Sequence, residues 1–143
     1  CCCRYQGCVL AMAPVTERIN ANIPATAQAA TASEVVAESH VAGVVSAASY
    51  TPEANITGDD TNTRTLTLVN KGQSGSGTTV VGTIAFTSGN NGVAFDEKAF
   101  VLSATPADLV VAQGDILAFV STHSASGLAD PGGRVEVEIT RTA

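Results

Sequence analysis

The sequence has no tryptophan, a single methionine and only 4% aromatic residues, although 45% of its 143 residues are hydrophobic. Its apolar content is therefore mostly Ala and Val. Small and β-branched side chains suit thin β-layers, but each buries little area, at roughly 25 cal/mol per Å². A domain of this kind gains from packing against copies of itself, so self-association is the expectation. Charge is equally scarce. Charged residues make up 14% of the chain, and seven Lys plus Arg against thirteen Asp plus Glu leave a net charge of −6. The cations are scattered from Arg4 to Arg141, with no basic patch to neutralise phosphates, so nucleic acid is not an expected partner. No stretch approaches the roughly 20 apolar residues that span a bilayer, and no membrane partner is expected.

Cysteine is confined to Cys1, Cys2, Cys3 and Cys8. No disulfide can therefore staple the rest of the chain. Zinc sites are built from paired C-x-x-C units or from Cys with His partners, and neither pattern occurs here. A lipid-modified Cys1, a thiolate site and incidental sequence are the three readings, and the expectation is no metal and no cofactor. Met12-Ala13-Pro14 reads as a translation start, so residues 1–12 are expected to be a Cys-rich extension that the fold does not need. The start also lacks the basic-then-apolar pattern of a signal peptide.

Residues 13–33 are rich in Ala and Thr, carry Pro14 and Pro24 and show no sustained period. Proline is excluded from helix interiors and Thr lowers helix propensity, so residues 13–40 are expected to form an extended arm that orders against something else. Beyond Glu34 the pattern is β. Residues 41–50 are rich in Val, Ala and Ser and end before Pro52. Across residues 63–69, Leu66 and Leu68 alternate with Thr65 and Thr67, as a half-buried strand requires. The glycine-serine stretch 71–77 (KGQSGSG) then links to a second strand, 78–86, giving a hairpin with a flexible tip. Turn residues crowd 88–92 (SGNNG).

Residues 93–103 hold short apolar segments about Asp96-Glu97-Lys98, and Gln113-Gly114-Asp115 makes a tight turn between 109–111 and 116–121. After the loop 127–133 (GLADPGG), residues 134–140 place Val135, Val137 and Ile139 on one face and Glu136 and Glu138 on the other. Six to eight short strands with regular turn signals predict an all-β fold, an antiparallel β-sandwich of jelly-roll-like or β-tulip form over residues 41–143.

The residues that could carry chemistry do not assemble into a known set, and no catalytic, cofactor-binding or metal residue is assigned. Only His40 and His123 could act as imidazole bases. In Ser121-Thr122-His123-Ser124 adjacent side chains point to opposite faces of a strand, and no nucleophile-elbow motif is present. Asp59-Asp60, Asp96-Glu97, Asp115 and Asp130 supply carboxylates for glycosidase chemistry, but aromatic platforms for sugars are scarce. Tyr5, Tyr50, Phe86, Phe95, Phe100 and Phe119 are the full aromatic set, and several are needed for a core. Gly58-Asp59-Asp60-Thr61-Asn62 clusters oxygen donors suited to calcium. Its spacing is not that of an EF-hand loop, and local turn hydrogen bonding is the expected use. Lys71 precedes its glycines and a strand follows them, which is not a phosphate-binding loop. The expectation is a protein that is not an enzyme.

Several stretches resemble small proteins encoded among the head genes of tailed bacteriophages. These are Ile56-Thr57-Gly58, Thr61-Asn62-Thr63-Arg64-Thr65-Leu66, Asn70-Lys71-Gly72, Ala94-Phe95-Asp96, Leu102-Ser103, Gly114-Asp115-Ile116-Leu117 and Ala129-Asp130-Pro131-Gly132-Gly133. The resemblance covers roughly residues 41–142 and consists of turn and strand positions. It implies the capsid decoration, or head cement, family: a structural virion protein on the outer surface of the capsid, commonly a homotrimer, whose partner is the major capsid protein. On this reading the arm crosses to neighbouring subunits, and deleting residues 1–36 leaves a folded domain. The alternative is a head-fibre, tail or cell-surface module that recognises host carbohydrate through loops 71–77, 88–92 and 127–133.

Overall fold

Period-two alternation sets the inner face of most strands in the computed structural model, which describes residues 14–142. One sheet runs in the order β1 (Thr16–Ile23), β10 (Gly133–Arg141), β3 (Gly43–Pro52), β6 (Lys98–Ala99), with β8 (Val110–Val111) also paired to β3. The second runs β2 (Ala32–Glu38), β9 (Ile116–His123), β4 (Arg64–Asn70), β5 (Thr79–Phe86), β7 (Val101–Leu102). All the pairings within both sheets are antiparallel. The steps β1 to β2, β3 to β4 and β9 to β10 each cross from one sheet to the other, which gives the interleaved strand order of a double-sheet jelly roll. The expected all-β sandwich is therefore the fold. The connections carry little helix, a 3₁₀ turn at Pro106–Leu109.

The core fills the space between the sheets. Ile19, Ile23, Val45, Tyr50, Val135, Val137 and Ile139 come from the first sheet, and Val36, Leu66, Leu68, Ile84, Phe86, Leu117 and Phe119 from the second. Val135, Val137 and Ile139 are fully buried, on the side expected from the alternation. Of the aromatics, Tyr50, Phe86, Phe100 and Phe119 lie inside, and the Tyr50 and Phe119 rings pack tilted across the sheets with centroids 5.7 Å apart. The hairpin expected from residues 63–69 and 78–86 is the β4–β5 pair, with a register shift between Leu68 and Val69. Gly133 must be glycine on steric grounds alone: a Cβ there would overlap the Thr51 carbonyl oxygen on the neighbouring strand.

The extended arm expected over residues 13–40 is not present in that form. Thr16–Ile23 pairs along its whole length with β10, Thr16 opposite Thr140 through Ile23 opposite Gly133. Ala32–Glu38 pairs with β9. Both segments belong to the sandwich and supply Ile19, Ile23 and Val36 to its core. The two prolines punctuate the strand and do not break it, because Pro14 and Pro24 lie just outside the ends of β1, where a missing N–H costs no ladder bond. The domain accordingly begins well before residue 41. Residues 1–13, including Cys1, Cys2, Cys3, Cys8 and Tyr5, lie outside the described residues.

Candidate interaction surfaces

One end of the sandwich is closed by a buried polar cluster centred on Arg64. Its place follows from the β4 alternation: Leu66 and Leu68 face inward, so Arg64, two residues earlier, does too, and it is fully buried. A buried guanidinium is tolerated only if its donors are satisfied. Here Nε donates to the Leu128 carbonyl at 2.7 Å, and Nη2 donates to Ala27 O at 3.0 Å. Nη1 donates to Ala30 O at 2.7 Å and to Ser121 Oγ at 3.2 Å. Burial lowers the Arg64 pKa from its ordinary value, while the field of Asp130 opposes that shift.

Arg64 thereby pins two connections, β1–β2 and β9–β10, over the open end of the sandwich. Thr26 and Asp130 join those same connections by a pair of backbone bonds of 2.8 and 2.9 Å. Asp130 also accepts from the Tyr50 hydroxyl and from Gly132 N. Burial, followed by this bond to Asp130, raises the Tyr50 pKa far above its ordinary value, which keeps the phenol as the proton donor.

The other polar residues considered for chemistry are dispersed. His123 Nδ1 contacts the carbonyl of Ala125 in its own loop at 3.0 Å, and Ser121 points inward to Arg64. His40 is exposed at the β2–β3 connection. At the opposite end from Arg64, Asp115 Oδ2 accepts from Asn70 Nδ2 and from Ala112 N, both at 2.9 Å. In the stretch weighed for calcium, Asp59 Oδ1 accepts from Thr61 N and Asn62 N, and Asp60 Oδ1 accepts from Ser88 N. These carboxylates build the turn. Among the described residues no group of three or more His, Cys, Asp or Glu is gathered in one place.

The backbone bonds from Asn62 and Thr61 hold the Asp59 pKa below its ordinary value. The folded state therefore favours the carboxylate. That contribution is present above the unfolded carboxylate pKa, about 3.9, and is lost as pH falls through the folded value. In an NMR titration the Asp59 carboxyl is expected to have a midpoint below 3.9 or so. The Thr61 and Asn62 amide resonances should move with it. A midpoint at or above the ordinary value would contradict this account of the loop.

The two outer faces of the sandwich differ in charge. On the first sheet, Arg18, Glu136, Glu138 and Arg134 all fall on outward positions. Arg18 bridges Glu136 and Glu138 at 3.5 and 3.0 Å. A shallow concavity of about 210 Å³ beside them is lined by Arg18, Ser49, Glu97 and Glu136 among others; ligand sites usually enclose about 300 Å³ or more. On the second sheet three outward rows contain no charge, and the row beyond them, at the end of the β4–β5 turn, places the exposed Glu38 opposite Ile116. The three rows read Val35, Ala118, Val69, Val80, then Ser33, Val120, Thr67, Thr83, Val101, then Thr122, Thr65, Ala85. Val35 and Val101 are 67% and 73% exposed.

Phe95 is the most exposed large apolar side chain among the described residues, at 81%. It lies in the loop between β5 and β6, at the Arg64 end, with a backbone φ of +59°. A bulky non-glycine residue in that region costs of order 1–3 kcal/mol. The surrounding backbone holds it there: Phe95 N donates to Pro52 O at 2.8 Å, and Ala94 N donates to Asn55 Oδ1 at 2.8 Å. Val93, Asp96 and Glu97 are exposed beside it.

No protein-family model matches the chain, and searches of curated proteins and of solved structures return no match. No helix among the described residues is long and apolar enough to cross a membrane.

Proposed function

We propose that this chain is a structural virion protein that binds the outer surface of a tailed-phage capsid and stabilises it, without catalytic activity and as a homo-oligomer, a trimer in the form the resemblance implies. The observation that carries the contact is Phe95. Its ring is placed in solvent by strained backbone, so it adds nothing to the core and its benefit lies in a partner. The acidic Asp96 and Glu97 beside it suit an apolar pocket of the major capsid protein with a basic rim. A shell offers many copies of such a pocket, and copies of this chain joined together bind it with avidity even where each contact is weak.

The test is co-sedimentation of the purified protein with expanded phage heads that lack it. Phe95→Gly removes the ring and relieves the positive φ. The variant is expected to keep or slightly raise its stability while its affinity for heads falls about thirtyfold or more, as for a buried aromatic anchor. Undiminished binding by that variant would remove Phe95 from the contact, and absence of the protein from purified virions would end the proposal. The alternative, carbohydrate recognition through loops 71–77, 88–92 and 127–133, would draw on two ends of the sandwich. Loop 71–77 lies at the turn of the β4–β5 hairpin, whereas 88–92 and 127–133 lie at the Arg64 end.

A further inference from the structure

We infer that the three uncharged rows on the outer face of the second sheet, β2-β9-β4-β5-β7, are covered by a second copy of this chain. The inference rests on the self-association within the proposed function and does not require the capsid. Its basis is the distribution of charge. The chain has only 14% charged residues but a net charge of −6, so a contact between two copies that brings carboxylates face to face is costly, and one made where neither carries charge avoids that cost. The first sheet is less suited, because Arg18, Glu136, Glu138 and Arg134 stand on its outer face and would have to be desolvated in a contact. On the second sheet the three outward rows from Val35 to Ala85 hold only Val, Ala, Ser and Thr.

Alternation normally places polar and charged residues on a solvated sheet face. Here the inward positions of the same strands hold Leu66, Leu68, Leu117 and Phe119. The outward positions add Val35, Val80 and Val101, all exposed. The area of the face suits a reversible association. Twelve outward positions, on strands about 4.8 Å apart and in rows about 6.7 Å apart, give roughly 390 Å² of sheet. Covering it with an equal area of a neighbour removes about 770 Å² before side-chain relief is counted, the size of a weak, concentration-dependent contact. A partner that recognised the chain through charge would find nothing to read on these three rows, whose only charged neighbour is Glu38 at the corner beside Ile116. A copy of the chain, poor in charge and rich in Val and Thr, matches them.

The experiment is light scattering and sedimentation of the full chain across a concentration series, in reductant so that Cys1, Cys2, Cys3 and Cys8 cannot link copies. The parent is expected to show a mass that is a multiple of 14.4 kDa. Val35→Glu with Thr83→Glu should weaken association about a hundredfold or more, because like charges are forced together. Asn20→Glu, on the outer face of the first sheet, should leave it unchanged. A second readout needs no variant: hydroxyl-radical footprinting should show Val35 and Val101 becoming protected as association proceeds, while Phe95 stays reactive. A parent that is monomeric throughout overturns the inference, and so does an oligomer whose Val35 and Val101 remain reactive. An oligomer that fails to bind phage heads would leave this interface standing and remove only the capsid role.

Discussion

Deleting residues 1–36 is expected to abolish cooperative folding. The cut removes β1 entirely and β2 as far as Val36. It takes Ile19, Ile23 and Val36 out of the core, and each such side chain contributes about 1.5–3 kcal/mol by burial. It also strips the β1 ladder from β10 and most of the β2 ladder from β9, turning two central strands into open edges prone to pair with other chains. The carbonyls of Ala27 and Ala30, which hold Arg64, go with them, leaving a buried charge half-satisfied. Against a total stability of about 5–15 kcal/mol for a domain, the sum of these losses is decisive. Urea titration followed by circular dichroism should show no sigmoidal transition and a tendency to aggregate. A truncated chain with a cooperative transition near that of the parent would mean that the two strands are dispensable after all.

The arm expected from the sequence is instead two paired strands, and their alternation is weak in contrast. In β10 the alternation of Val135, Val137 and Ile139 with Glu136 and Glu138 contrasts large apolar with charged side chains, so its period of two is plain. In β1 the same period runs through Ile19, Ala21 and Ile23 inward and Arg18, Asn20 and Asn22 outward. There Ala21 is barely apolar, and Pro14 and Pro24 draw attention to breaks that fall outside the strand. In β2 a register shift between Val35 and Ala37 brings Val36 inward and interrupts the pattern. Weak contrast and one bulge were enough to hide two strands. The burial of Arg64 is not among the sequence expectations, although extending the Leu66, Leu68 register by one step puts it inside. What the sequence could not supply was the set of carbonyls that makes that position tolerable, because those belong to connections whose paths depend on the whole fold.

The exposed positions divide in the same way. The absence of charge from Thr65, Thr67 and Val69 is visible in the linear sequence of β4. Its extension across five strands appears only once register aligns Val35 with Ala118 and Thr83 with Val101. Phe95 carries no local signature at all, since an aromatic between Ala94 and Asp96 reads equally well as core. Its exposure follows from the turn in which Asp96 N bonds Val93 O and Phe95 N is held by Pro52 O, and nothing in the spacing of residues dictates that turn.

The second large effect is expected at Arg64 itself. Replacing a buried ion by a hydrophobic side chain of similar volume is often neutral where its partner can be replaced as well. Here three of the four acceptors are backbone carbonyls, of Ala27, Ala30 and Leu128, which no compensating substitution can remove. Arg64→Met would leave them facing an apolar chain, and an unsatisfied buried acceptor costs about 1–3 kcal/mol. The buried Asp130 would at the same time lose the positive charge that acts on it. A loss of about 3–5 kcal/mol is therefore expected, read as a lower urea midpoint at unchanged slope. Asp130→Asn added to Arg64→Met should cost less than the two single changes combined, because the two groups share one electrostatic site. Strict additivity would separate Asp130 from the cluster. An Arg64→Met variant as stable as the parent would show that the carbonyls of the two connections find other donors, and that the end of the sandwich is not held closed by this guanidinium.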